Sequence, residues 1–561
     1  MYDLVFRNAR IIDGTGNPWI KADLAVTNGK IASIRSNNLV DARRVIDAHG
    51  LVIAPGFIDL HTHTDRAILT NNKATSSIMA GVTTEAIGNC GSAAYGFSPD
   101  QVESFQKSMP DVKIDWTDLK GYRDSLEKKG IGINLAPFFG HNTIRASVMG
   151  EEGKGGERTK PTREEMRRMR ELASELMDQG AYGMTTGLWY PPGRNALTRE
   201  IIELCKIVAN KGGVYMSHIR GEAGVLIESV KEFVEICEKA GIRGSLSHHK
   251  AMQEWNWGKP NETIRILKRA RERGVEVICD QYPWEYSSSA NLGRWFISGW
   301  GRNKGRDGHY NPPNLTLEIL LRDLKDPAMW SRIKKEARER YDLEVEENNK
   351  RSKLLMRHGI IPSEIVDPRS FEYITYSKNH PEMVGKRFYE VADALGMDDY
   401  WEAVRKILLD DEGNTFTGGG GMCEEDLRTI LAYPACSVST DGETRDRPSS
   451  VLKPAHPRAY GTFAKVLQRY VREAKLLTLE DAIRKMTSLP ASFLGLSDRG
   501  VIRPGAWADL TIFDPDRIEN GATYAKPDTF PVGIEYVLVN GVIAQEAGKR
   551  SDKLSGKVLM K

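Results

Sequence analysis

The chain has 561 residues, 40% hydrophobic and 28% charged, with a formal net charge of +3 from 79 basic and 76 acidic side chains. This describes a soluble globular protein long enough for more than one structural unit, and it excludes a charge-driven nucleic-acid or membrane-surface binder. The opening MYDLVFRNARIIDG lacks the apolar core of a signal peptide, no stretch approaches a membrane span, and six sparse cysteines without a CxxC pair suit a reducing cytoplasm.

Residues 1–55 read as short alternating strands, YDLVFRNARII and ADLAVTNGKIASI, with Asn28-Gly29 as a hairpin turn. The C-terminal end repeats the style in ADLTIFDP and YVLVNGVIA, with Asn540-Gly541 as a second such turn. Residues 1–55 together with 500–561 are therefore expected to form one small β-sandwich or barrel domain, since the termini of a compact unit often lie close together.

Next comes PGFIDLHTHTD, residues 55–65. Side chains alternate along a strand, so His61 and His63 share a face, about 6–7 Å apart, close enough to grip one ion. Exposed polar residues at a strand end are the plainer alternative. The apolar run from Phe57 to Leu60 favours the ligand reading, because a buried strand should not end in two unpartnered histidines.

The middle of the chain alternates. Strand candidates AYGMTTGL (181–188), VYMSHIR (214–220), RGSLSHHK (243–250) and VEVICDQY (275–282) start 33, 29 and 32 residues apart. Amphipathic helical runs lie between them, and the helix before the first opens with a Thr162-x-x-Glu165 capping box and stops at Gly180. This is the rhythm of βα units on a parallel sheet. Further strands near 57–63, 83–89, 131–139 and 435–441 bring the number to about eight, which closes a barrel. The expectation is an α/β fold, a TIM-like (β/α)8 barrel over 56–499. A doubly wound open sheet is the competitor, but no GxGxxG follows an early strand. A charged helical stretch at about 296–380 breaks the rhythm and reads as an insertion or lid.

Active sites of such barrels lie at the C-terminal ends of the strands. His61, His63, Cys90, His218, His248 and Asp441 all fall at such ends. Singly, Cys90 reads as a small buried hydrophobe, His218 as a core histidine and Asp441 as turn chemistry. Together they read as a metal site.

The ordered set PGFIDLHTHTD, GNCG, GLWYPPG, SHIRGE, SHHK, DQYPW, STDGE, HPRAYGTF and RGVIRPGAWADLTIFDP resembles the N-acyl-D-amino-acid deacylases (D-aminoacylases) of the amidohydrolase superfamily over nearly the whole chain. The resemblance implies zinc-dependent hydrolysis of N-acyl-D-amino acids to a carboxylate and a free D-amino acid. By position, Cys90, His218 and His248 are similar to the ligands of a tightly held Zn2+, with cobalt or manganese as possible substitutes. His61 and His63 are similar to those of a second, weaker site that Cys90 can bridge. Many amidohydrolases bridge two metals through a carboxylated lysine of the fourth strand; AYGMTTGLWY has none, so a thiolate must take that role. His249, beside His248, is ambiguous: alternation places only one of the two inside, and the resemblance favours His248.

The resemblance further implies Asp441 as proton shuttle and Lys250, Tyr282 and Tyr190 as substrate contacts, a surface lysine and a packed tyrosine being the plainer readings of the first two. The implied partner is a small-molecule N-acyl amino acid, with no nucleic acid and no membrane; no feature marks an oligomeric state. Glu222 fits the acidic residue the family usually carries after SH(I/M)R, whereas glycine-rich FTGGGGMCEED (416–426) and the 296–380 segment depart from the pattern. Two other readings stand beside this one. A ring-opening cyclic amidase of hydantoinase or dihydroorotase type is disfavoured by Cys90 and the missing lysine, and a non-catalytic relative should have lost ligands.

Overall fold

The computed structural model describes residues 1–36, 41–154, 158–293, 316–357 and 372–561. Eight strands pair side by side in parallel: Phe57–Asp59 (β1), Val82–Ile87 (β2), Asn134–Gly140 (β3), Gly183–Gly187 (β4), Val214–His218 (β5), Gly244–Leu246 (β6), Val277–Gln281 (β7) and Cys436–Val438 (β8). Every residue of these strands is buried, because helices cover the outer face and side chains fill the inner one. The circle closes beyond the strands. Asp441 N donates to His61 O at 2.9 Å, His63 N donates to Gly442 O at 2.6 Å, and Thr62 bridges Gly442 in parallel. The fold is the TIM-like barrel the spacing predicts.

The covering helices follow from their sequences. Arg163–Asp178 begins at the expected capping box, with Thr162 and Glu165 each satisfying the other's backbone N–H, and buries Met169, Ala173, Leu176 and Met177 at helical spacing.

Strands from both ends of the chain share one nine-stranded sheet. Val52–Pro55 runs parallel to Tyr2–Ile11 and antiparallel to Leu510–Phe513. Its two Asn-Gly hairpins adopt positive φ at both central residues, 51° and 78° at Asn28-Gly29 and 50° and 78° at Asn540-Gly541, which only this kind of dipeptide accepts readily. The last residues leave the sheet and lie beside the start of β3, where Leu559 N donates to Leu135 O.

The excursion between β7 and β8 carries its own core. Leu292, Leu320, Trp330, Phe388, Trp401 and Leu408 pack together, so this unit reaches beyond the 296–380 span; residues 294–315 and 358–371 of that span lie outside the described residues. The glycine-rich segment docks the excursion on the barrel. Gly420 and Gly421 accept from Gln253 N, and a Cβ at Gly421 (φ 61°) would sit 2.6 Å from the Tyr373 ring.

Glu372, in the strand Glu372–Tyr376, is buried with Thr417 Oγ1 donating to it at 3.0 Å. Burial pushes its carboxyl up to about 7 from 4.5. Between those values the folded chain holds a proton that the unfolded chain has released, so stability falls as pH rises through that window. The loss amounts to roughly 3 kcal/mol above pH 7. Glu372→Gln keeps an acceptor without the charge. Thermal melts at pH 5 and pH 8 should show the variant gaining on the wild type as pH rises; a pH-independent difference would contradict the assignment.

Candidate metal centre and active site

Beyond the ends of β2, β6 and β8 the backbone turns sharply, and this aims three of the site residues inward. Cys90, His248 and Asp441 all take positive φ, at 51°, 38° and 49°, a conformation that non-glycine residues adopt only where the surroundings impose it. Beside His248 and Asp441 the surroundings are buried carboxylates. Asp59, ending β1, accepts from the backbone N–H groups of His61 and Thr440, both at 3.1 Å. Asp280, in β7, accepts from His248 N at 2.9 Å and from Ser439 Oγ at 2.7 Å. Burial pushes Asp280 up to about 6.

Cys90 Sγ stands at the centre. His61 Nε2 lies 3.3 Å away, His248 Nε2 3.5 Å and His218 Nδ1 3.6 Å. Ligand atoms of His61, Cys90, His248 and Asp441 all lie within 4.8 Å of one another, as do those of His218, Glu222 and His248. Half-exposed His63 turns its Nε2 to Asp441 Oδ1 at 3.1 Å. His249 faces away, with Nε2 against Thr263 Oγ1 at 2.7 Å, so His248 is the inner member of the pair.

The electrostatics suit a cation. Burial holds His61, His218 and His248 well below the usual imidazole value, which leaves them neutral and able to ligate. Burial also drives the Cys90 thiol well up, so a thiolate here needs a positive ion beside it. Burial opposes the charge of Asp441, but Arg458 and the histidines outweigh it and hold the carboxyl well below the usual carboxylate range. A thiol, several neutral imidazoles and a carboxylate form a donor set that fits zinc.

His61 apart, these groups line a cavity of about 390 Å³ together with Trp189, Tyr190, Lys250, Met252, Tyr282 and Arg458. Arg458 NH1 lies 2.8 Å from Asp441 Oδ2, and its guanidinium sits 4.9 Å from the Tyr282 ring centre. Tyr282 Oη is buried without a hydrogen-bond partner among the described residues. Lys250 Nζ donates to Glu222 Oε1 at 2.7 Å, and Tyr190 lies at the rim with its ring 4.8 Å from that of His218. Eight of the nine residues singled out from the sequence thus line one space, and the ninth, His61, is fully buried with its Nε2 against Cys90 Sγ. Arg458 was missed as a site residue; the motif HPRAYGTF holds it, but nothing local to that motif shows that it reaches Asp441.

The pattern of the amidohydrolase family matches residues 44–206 and 444–545, which leaves His218, His248 and Asp441 outside. An N-acyl-D-glutamate deacylase of Alcaligenes xylosoxydans xylosoxydans takes in that middle: it is 32% identical over 540 residues, covering 96% of this chain and 93% of the relative. The chain belongs to the D-aminoacylase family of amidohydrolases. A D-aminoacylase of the same organism is 31% identical over 568 residues, covering 100% of this chain and 97% of its own. Among solved structures, N-acyl-D-glutamate deacylase from Bordetella bronchiseptica, complexed with zinc and a phosphonate inhibitor that mimics the tetrahedral intermediate, superposes with a TM-score of 0.74 at 30% identity over 100% of both chains. Like these family members, this chain is a metal-binding hydrolase of linear amides built on a barrel.

Proposed function

We propose that this enzyme hydrolyses N-acyl-D-amino acids to a carboxylate and a free D-amino acid, with zinc as its metal. The observation that carries this reading is the convergence of Cys90, three neutral imidazoles and ionised Asp441 at one end of the barrel, in a chain matched end to end by deacylases. Cys90, His218 and His248 are assigned to a tightly held Zn2+, and His61 and His63 to a weaker second site that Cys90 can share. The six unpaired cysteines support a reducing, cytoplasmic setting.

When bound, zinc supplies Lewis acidity, polarising an amide carbonyl and making a water easier to deprotonate. The rest falls to side chains. Asp441, anionic at neutral pH, accepts the proton of the attacking water and returns it to the departing nitrogen. Arg458 and His63 hold its two oxygens so that the carboxylate does not swing between those steps. Lys250 and Tyr282 hold the substrate α-carboxylate, the Tyr282 hydroxyl being a free donor on the cavity wall. Trp189 and Tyr190 line the same cavity and limit where the acyl group lies.

Handedness follows from this anchoring. With the scissile carbonyl and the α-carboxylate both held, each enantiomer has one direction left for its side chain, and a packed wall rejects the wrong one. Matched N-acyl-D- and N-acyl-L-amino acids, with cyclic amides alongside, should show strong preference for the linear D-form. Lys250→Ala should chiefly raise KM, because it removes binding common to ground and transition states. Comparable rates on the D and L forms would sink the assignment and leave a metal-dependent amidase.

A further inference from the structure

The two histidines assigned to the tight site turn their other ring nitrogens to one carboxylate. His248 Nδ1 lies 2.9 Å from Glu222 Oε1, and His218 Nε2 lies 3.8 Å from Glu222 Oε2, beyond hydrogen-bond reach and without another partner among the described residues, so that the carboxylate acts on it through its charge. The near nitrogens, His248 Nε2 and His218 Nδ1, both face Cys90 Sγ, and the rings stand nearly perpendicular at 84° with centres 4.4 Å apart. Thiol and carboxylate therefore lie on opposite sides of the same two rings. Glu222 is itself buried, and its backbone oxygen accepts from Met252 N at 2.8 Å, which ties its loop to the one carrying His248.

We propose that Glu222 is a positioning residue that selects the ligating nitrogen of both histidines. A neutral imidazole carries one N–H, and the nitrogen that bears it cannot ligate. A carboxylate beside the far nitrogens draws the protons there and bares the near nitrogens toward Cys90. Around His248 the choice is contested, because Lys250 Nζ also lies 2.7 Å from Nδ1. Were Lys250 to donate to that nitrogen, the imidazole proton would move to Nε2 and the ligand would be lost. Glu222 resolves the contest by accepting from Lys250 at 2.7 Å while keeping its negative charge 2.9 Å from His248 Nδ1. One carboxylate thus sets two ligand tautomers and parks the lysine assigned to the substrate. The inference rests on the proposed metal reading and adds to it why the ligand atoms are Nδ1 in one histidine and Nε2 in the other.

The test measures zinc affinity by competition with a chelating dye on the full-length chain, in wild type, Glu222→Gln, Glu222→Asp and Cys90→Ala. Glu222→Gln should bind zinc about 10–100-fold more weakly, the range for loss of an orienting carboxylate, and Glu222→Asp should recover part of the loss. Spectra of the zinc-loaded wild type labelled with ¹⁵N-histidine should show His218 protonated at Nε2 and His248 at Nδ1; this readout needs no variant to fold. Protons on the opposite nitrogens, or unchanged affinity in Glu222→Gln, would overturn the proposal. Loss in Glu222→Gln as complete as in Cys90→Ala would make Glu222 a ligand and overturn it too. If Cys90→Ala binds zinc normally, the metal assignment falls first, which separates the two failures.

Discussion

Replacing Asp441 by Asn is expected to lower turnover by a factor on the order of 10²–10⁴, the usual contribution of a general base, while the tightly held metal stays. Asn preserves the shape of the side chain, and the backbone at 441, pinned by the bond from its N–H to His61 O, has no reason to move. What changes is the acceptor count. Arg458 donates to one carboxylate oxygen and His63 to the other, and an amide offers only one oxygen to the two donors. One contact becomes donor against donor, and the group can no longer take a proton from water. Elemental analysis alongside steady-state rates separates lost chemistry from lost metal. Near-normal turnover would remove Asp441 from the role.

Cys90→Ala is expected to abolish hydrolysis by a different route, through loss of most of the metal from a folded barrel. Sγ is the one soft, ionisable donor among the assigned ligands, and three imidazoles surround it at 3.3–3.6 Å. Without it, neutral nitrogens remain and charge neutralisation falls to Asp441, already committed to Arg458. The fold should tolerate the change, since Ala carries the same Cβ into the left-handed backbone at 90 that Cys does and removes only one buried atom. Metal per chain and a thermal melt, measured on the same preparation, check both halves. Full zinc in purified Cys90→Ala would refute the ligand assignment.

The barrel was legible because buried parallel strands announce themselves as apolar runs at a steady interval, and all eight lie within a few residues of the predicted positions. Their far ends were not. Alternation pairs His61 with His63 and places only one of His248 and His249 inside, yet β1 stops at Asp59 and β6 at Leu246. Left-handed turns at Cys90, His248 and Asp441 do the aiming instead, with Asp280 and Asp59 from neighbouring strands holding the backbone at His248 and at Thr440, next to Asp441. Such positions conflict with local preference, and only the assembled fold reveals them. The ion pair of Arg458 with Asp441 and the reach of Glu222 across β5 and β6 were hidden for the same reason. The excursion after β7 was read from its charged helix, whereas its core gathers apolar residues on both sides of that helix.

The closure of the barrel has a consequence for how the enzyme comes into being. The clasp joins Asp441 to His61 and Gly442 to His63, so the residues that would do chemistry are also the ones that shut the ring. Nearly 380 residues of chain separate the two halves of that clasp, a long loop to close and a late contact to form. During synthesis, His61 and Cys90 emerge early but stand without their partner until β8 has been made. On the proposed reading, a nascent or truncated chain ending before 441 lacks its proton shuttle, and activity appears only with a finished ring. Exchange protection of the Asp441 and His63 amide protons would serve as a clock for that moment, reporting completion of the barrel and assembly of its active site as one event.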